Sequence, residues 1–127
     1  MNDTRNHRKR RAAALQTAYY LPTGIWPLIP KIGIPTFEWL TGPKVDRWLV
    51  QTVGALVAVI AVVIGRARAN DRITPEIEAL AIGSAVSLAT VDVVFVARRR
   101  IRPIYLVDAL MNLIIVAAWI AGRRSKP

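Results

Sequence analysis

The sequence predicts an all-α protein, an integral membrane bundle of four transmembrane helices. Three observations predict it. Apolar stretches at 12–30, 48–65, 79–91 and 103–122 take up most of the 127 residues. Arg and Lys bracket each stretch. The apolar fraction of 54% is more than a chain this short can hide in a core of its own.

Lys and Arg outnumber Asp and Glu by 18 to 8. The bases gather at segment ends, in 5–11, 66–72, 98–102 and 123–126. That spacing places charged heads among lipid phosphates and leaves the apolar runs in hydrocarbon, so the expected partner is the lipid bilayer and not a nucleic acid. Without cysteine, disulfides, thiol nucleophiles and thiolate metal sites are excluded, and His7 is a lone histidine in the basic tail. Neither a metal nor a cofactor is expected, and no Gly-rich phosphate loop is recognisable.

The basic tail covers 1–11. The first span, at about 12–30, holds 19 residues and reaches about 28 Å at 1.5 Å per residue. Pro22, Gly24 and Pro27 interrupt it, and a kink or break is expected near 21–24. An arginine block before an apolar run resembles a signal peptide, but no small-x-small cleavage pattern follows, so the segment is expected to stay as an anchor. A short interfacial helix is expected at 35–41. Pro35 suits its start, Gly42 and Pro43 stop it, and Phe37, Trp39 and Leu40 are headgroup-depth anchors.

The second span is expected at about 46–66, with Trp48 at one end. Gly54, Ala58, Ala61 and Gly65 fall on one face and permit close helix approach. The third span, at about 75–97, opens with Thr74 as cap, Pro75 in the first turn and Glu76 and Glu78 at the positive dipole end. Ala79, Gly83, Ser87 and Thr90 form a second small face, expected to partner the first. The same two faces offer surfaces for a homo-oligomer. The fourth span is expected at about 103–122, with Trp119 near its far end.

Charge counting bears on topology. With four spans and cytoplasmic termini, eleven bases lie inside (five in 1–11, three in 66–72, three in 123–126) and seven outside. If the first segment is re-entrant, the count becomes twelve against six. The four-span arrangement is preferred because a long apolar run after an arginine block is the usual anchor pattern. A near-balanced count also fits dual insertion as an antiparallel dimer. The expected location is a bacterial inner membrane.

Two acids fall inside the spans. Asp92 is five residues before Ala97 and Asp108 five after Pro103, so both lie roughly 8 Å inside one membrane face. An aspartate at bilayer depth costs about 2.5–3.5 kcal/mol, so each needs a partner, a proton or a polar cavity. Arg98, Arg99, Arg100 and Arg102 join the two helices and are the candidate structural ion pairs. Alternatively, Tyr105, Asp108 and Asn112 form one polar stripe. With Asp92, and with Glu38 and Asp46 from the first loop, that stripe lines a half-membrane cavity for a ligand or ion. Tyr19, Tyr20 and Trp26 supply its aromatic walls.

The runs Tyr19-Tyr20-Leu21-Pro22-Thr23-Gly24-Ile25-Trp26-Pro27, Phe37-Glu38-Trp39-Leu40-Thr41-Gly42-Pro43-Lys44 and Ile104-Tyr105-Leu106-Val107-Asp108-Ala109 resemble segments of small uncharacterised bacterial membrane proteins with four predicted spans. The resemblance covers nearly the whole chain and implies the architecture, with no established activity and no catalytic residue. The expected function is a non-catalytic module that binds or passes a small solute or ion as an oligomer. The alternatives are a structural or accessory membrane subunit, and an isomerase or hydrolase using Asp/Glu acid–base chemistry.

Overall fold

A computed structural model describes the backbone of residues 2–42 and 47–124. It is all-helical across those residues: α1 spans Asn2–Ile25, a 3-10 turn Trp26–Leu28, α2 Gly33–Thr41, α3 Arg47–Ala69, α4 Pro75–Ala97 and α5 Tyr105–Arg124. Within these helices, Trp48–Ala69, Pro75–Ala97 and Tyr105–Arg123 are each long and apolar enough to cross a membrane. The chain is a multi-pass membrane protein.

The distribution of apolar side chains says the same. The buried core is narrow, built from Ala12, Ala13, Tyr20, Ala61, Ile64, Ala81, Ala85, Ile115 and Trp119. Larger residues such as Leu56, Val59, Leu110 and Leu113 point outward. In water that surface would be a liability, whereas against lipid tails it is the matched solvent.

α1 is the hub. It packs on α3 along one side and on α5 along another, while α4 packs chiefly on α5. α3 and α4 scarcely touch, although they follow each other in the chain. The order around the bundle is therefore α3, α1, α5, α4, with a seam between the first and the last.

Small residues set the closest approach. A Cβ on Gly24 would lie 2.7 Å from the Gly54 carbonyl oxygen and the Ala58 nitrogen, and one on Gly54 would lie 2.6 Å from the Gly24 oxygen. A Cβ on Gly65 would meet Thr17 at 3.2 Å. The stripe Gly54, Ala58, Ala61 and Gly65 is thus spent on α1. The expected partner face on the third span is not used in this way: Ala79, Gly83, Ser87 and Thr90 are exposed, and nothing lies within 4 Å of a Cβ on Gly83. α4 buries Glu78, Ala81, Ala85, Ala89 and Asp92 instead. Both faces carry small residues at helical spacing, and only the fold decides which one meets a neighbour.

The first segment also differs from expectation. The helix runs through Pro22 and changes to a 3-10 turn only at Trp26. Proline removes one hydrogen bond, and Gly24, two residues on, packs closely against α3. The basic tail is not separate, since α1 begins at Asn2 and carries Lys9 and Arg10 on its second and third turns. α2 starts two residues before the interfacial helix expected at 35–41.

The two ends of the bundle have different chemistry. At one end Arg10 bonds Asp71 and the Arg68 carbonyl, and Arg68 returns a bond to the Arg10 carbonyl. Lys9 and Arg123 both bind Glu78, at 2.8 and 3.5 Å. The other end holds α2, the 3-10 turn and the α4–α5 turn, where Trp26 donates to Thr36 and packs edge-on against Phe37.

Candidate functional site

The site begins with a column of polar side chains on α1 and α5. Gln16 is fully buried; it donates to the Ala81 carbonyl at 3.0 Å and accepts from the Trp119 indole at 2.7 Å. One turn on, Tyr20 donates to Asn112 Oδ1 at 2.5 Å. Asn112 in turn donates to the Asp108 carbonyl oxygen and to Asp108 Oδ2. The Tyr19 hydroxyl donates to Asp108 Oδ1. Both Asp108 oxygens are therefore occupied by donors from α1 and α5, and the aspartate ties those helices together.

Asp92 is different. It comes from α4, is only 6% exposed, and its Oδ2 has no hydrogen-bond partner among the described residues. Asp108 stands in the same cavity wall, so two acids share this part of the site. Ionised carboxylates only accept, so a proton or a cation has to satisfy the free Oδ2. Among the described residues, the ion pairs are Lys9–Glu78, Arg10–Asp71 and Arg123–Glu78, none of which reaches Asp92 or Asp108.

Asp92 and Asp108 sit in the wall of a cavity of about 580 Å³. The size suits a small-molecule site, for which about 300–1,000 Å³ is usual. α1 and α5 form its back, α3 and α4 its sides, and α2 its end. All three tyrosines line it, together with Trp26 and Phe37, so five of the nine aromatic residues of the chain converge there. The remaining wall is aliphatic, with Val53 and Val57 from α3 and Leu88 and Val91 from α4. Although the net charge is +10, no Lys or Arg among the described residues lines this space.

The expected site residues thus separate. Asp92, Asp108, Tyr105, Tyr20 and Trp26 line the cavity. Asn112 is buried behind it. Glu38 sits on α2 at the same end but does not line the space. Asp46 lies outside the described residues. Arg98, Arg99 and Arg100 form an exposed turn after α4, while Arg102 lies over Gly42.

Sequence reasoning missed three things. Gln16 is a single polar residue in an apolar run, and that isolation was the available signal. Phe37 serves as a cavity wall as well as an anchor. Glu78 is a buried acid held by Lys9 and Arg123 beside a smaller recess of about 310 Å³. No known protein family, curated protein or solved structure matches the chain.

Proposed function

We propose that this protein is a non-catalytic membrane module that binds a small solute in the cavity between α3 and α4. The observation that carries the reading is Asp92, a buried acid with a free oxygen in the wall of a ligand-sized, aromatic-rich space. A carboxyl group kept at bilayer depth without a protein partner costs stability, and such residues mark solute and ion sites.

The reading includes four crossings, with α1 as the fourth, in a bacterial inner membrane. Residues 12–25 of α1 are free of charge and lie against α3 and α5. The tail, the α3–α4 turn and the end of α5 carry the larger share of bases, which favours the cytoplasm for that end. It also includes kinship with the small four-span bacterial membrane proteins that the sequence resembles. The surface left for a second copy is the outer side of α4, where Ala79, Gly83 and Ser87 are exposed.

A structural role is favoured for one of the two aspartates. Asp108, held by Tyr19 and Asn112, acts as a tie between α1 and α5.

Native mass spectrometry of protein extracted with its membrane lipids tests the solute reading. Wild type retains a bound small molecule. Leu88→Trp, which fills the cavity from α4, loses it and keeps the wild-type helical content. Equal small-molecule content in the two proteins overturns the reading.

A further inference from the structure

We infer that the solute is a lipophilic cation, an ammonium or similar group on an apolar body, which reaches Asp92 sideways from the bilayer through the seam between α3 and α4. The inference rests on the solute-binding reading and specifies its ligand class.

Charge complementarity carries the first half. Among the described lining residues the ionisable groups are Asp92, Asp108 and three tyrosines, and none of them bears a positive charge. Asp108 already accepts from Tyr19 and Asn112. The oxygen left over is Asp92 Oδ2, nine-tenths buried and lacking a donor. A cation placed there supplies the donor that Asp92 Oδ2 lacks, and Asp108 in the same wall adds a second acid to the attraction. An anion would be repelled by both. A neutral donor satisfies one oxygen without gaining from the second charge. The tyrosine, Trp26 and Phe37 rings supply faces that attract cations electrostatically.

The seam carries the second half. α3 and α4 scarcely meet, and some of the cavity residues on the two helices are exposed. Leu49 and Val53 on α3 are 43% and 49% exposed, and Val91 on α4 is 49% exposed. Ile104 and Val107 at the start of α5 extend the same apolar rim. A rim of aliphatic residues on membrane-crossing helices faces lipid tails, so the ligand arrives already dissolved in the bilayer. Its apolar body fills the aliphatic part of the cavity, and its charged head stops at Asp92, about one and a half turns from the end of α4.

The test uses the full chain in nanodiscs of zwitterionic lipid, titrated calorimetrically with decyltrimethylammonium, 1-decanol and decyl sulfate, with empty nanodiscs subtracted. The cation binds wild type at least tenfold more tightly than the alcohol, and the sulfate does not bind. Asp92→Asn brings the cation to the affinity of the alcohol and leaves the alcohol unchanged. Leu88→Trp removes both. If the alcohol binds as well as the cation, or if Asp92→Asn leaves the preference intact, the cationic ligand is overturned and the cavity reading stands. If neither compound binds, both are overturned. Should Asp92→Asn not fold, the wild-type preference for cation over alcohol decides alone.

Discussion

At the scale of single residues, the two membrane aspartates look alike in sequence and behave differently in space. Each lies near the same face on consecutive helices, so depth alone separates nothing. Asp108 faces α1, which supplies the Tyr19 hydroxyl, and it shares a helix turn with Asn112. Asp92 faces the cavity. The difference predicts opposite stability effects. Asp108→Leu strands the Tyr19 hydroxyl and lowers the detergent melting temperature, corresponding to a loss of about 1 kcal/mol. Asp92→Leu removes a buried acid whose Oδ2 lacks a donor and leaves the melting temperature unchanged or raised. Equal losses in the two variants would mean that Asp92 is also structural. Gln16 offers a further residue-scale test. Gln16→Leu orphans the Trp119 indole and removes the second bond to the Ala81 carbonyl, and the expected cost is about 1–2 kcal/mol. Adding Trp119→Phe to Gln16→Leu should cost less than the two single losses combined, because the second change removes an already stranded donor.

At the scale of helices, glycines set in similar apolar runs have opposite roles. Gly54 is in backbone contact with Gly24, while Gly83 faces open space. Gly54→Ala therefore pushes α1 and α3 apart at a cost of about 1–3 kcal/mol. Gly83→Ala adds helix propensity with no clash within the single chain and stabilises the monomer by up to about 1 kcal/mol. Thermal melts of the two variants in one detergent should move in opposite directions. The turns that end α3 and α4 give another element-scale prediction. Arg72 N–H reaches the Ala67 carbonyl and Arg100 N–H the Phe95 carbonyl, with Asp71 and Arg99 left-handed at φ 53° and 57°. Glycine adopts that conformation without a Cβ penalty, so Arg99→Gly should raise the melting temperature, corresponding to about 0.5–1 kcal/mol. A lower melting temperature would mean that the Arg99 side chain makes a contact worth more than the backbone relief.

At the scale of the whole molecule, chemical labelling counts the helices that cross. The chain has no cysteine, so single introduced cysteines report side without interference. With four crossings, Leu40→Cys and Arg100→Cys label from outside the cell membrane and Asn70→Cys only from the cytoplasm. Protection of both the Leu40→Cys and the Arg100→Cys variants from the outside reagent removes the four-span arrangement with cytoplasmic termini. The direction of α1 is set by long-range contacts: Lys9 and Arg10 lie beside Glu78 and Asp71, while Gly24 lies against Gly54. α1 therefore runs antiparallel to α3 along much of its height.

Hydropathy and charge spacing by themselves determined the helical class and the three strongest membrane helices, because each depends only on local composition and the rise of a helix. The polar and aromatic part of the cavity wall was partly legible, since Tyr20, Trp26, Tyr105, Asp92 and Asp108 are unusual residues for apolar runs. Tertiary structure alone decided the rest. Small residues repeat at helical spacing on both α3 and α4, and periodicity does not name their partners; the Gly24–Gly54 contact does. Two carboxyl groups at equal depth have no fixed azimuth until the helices are packed. Packing turned Asp108 toward Tyr19 and left Asp92 with a free oxygen beside a seam open to lipid.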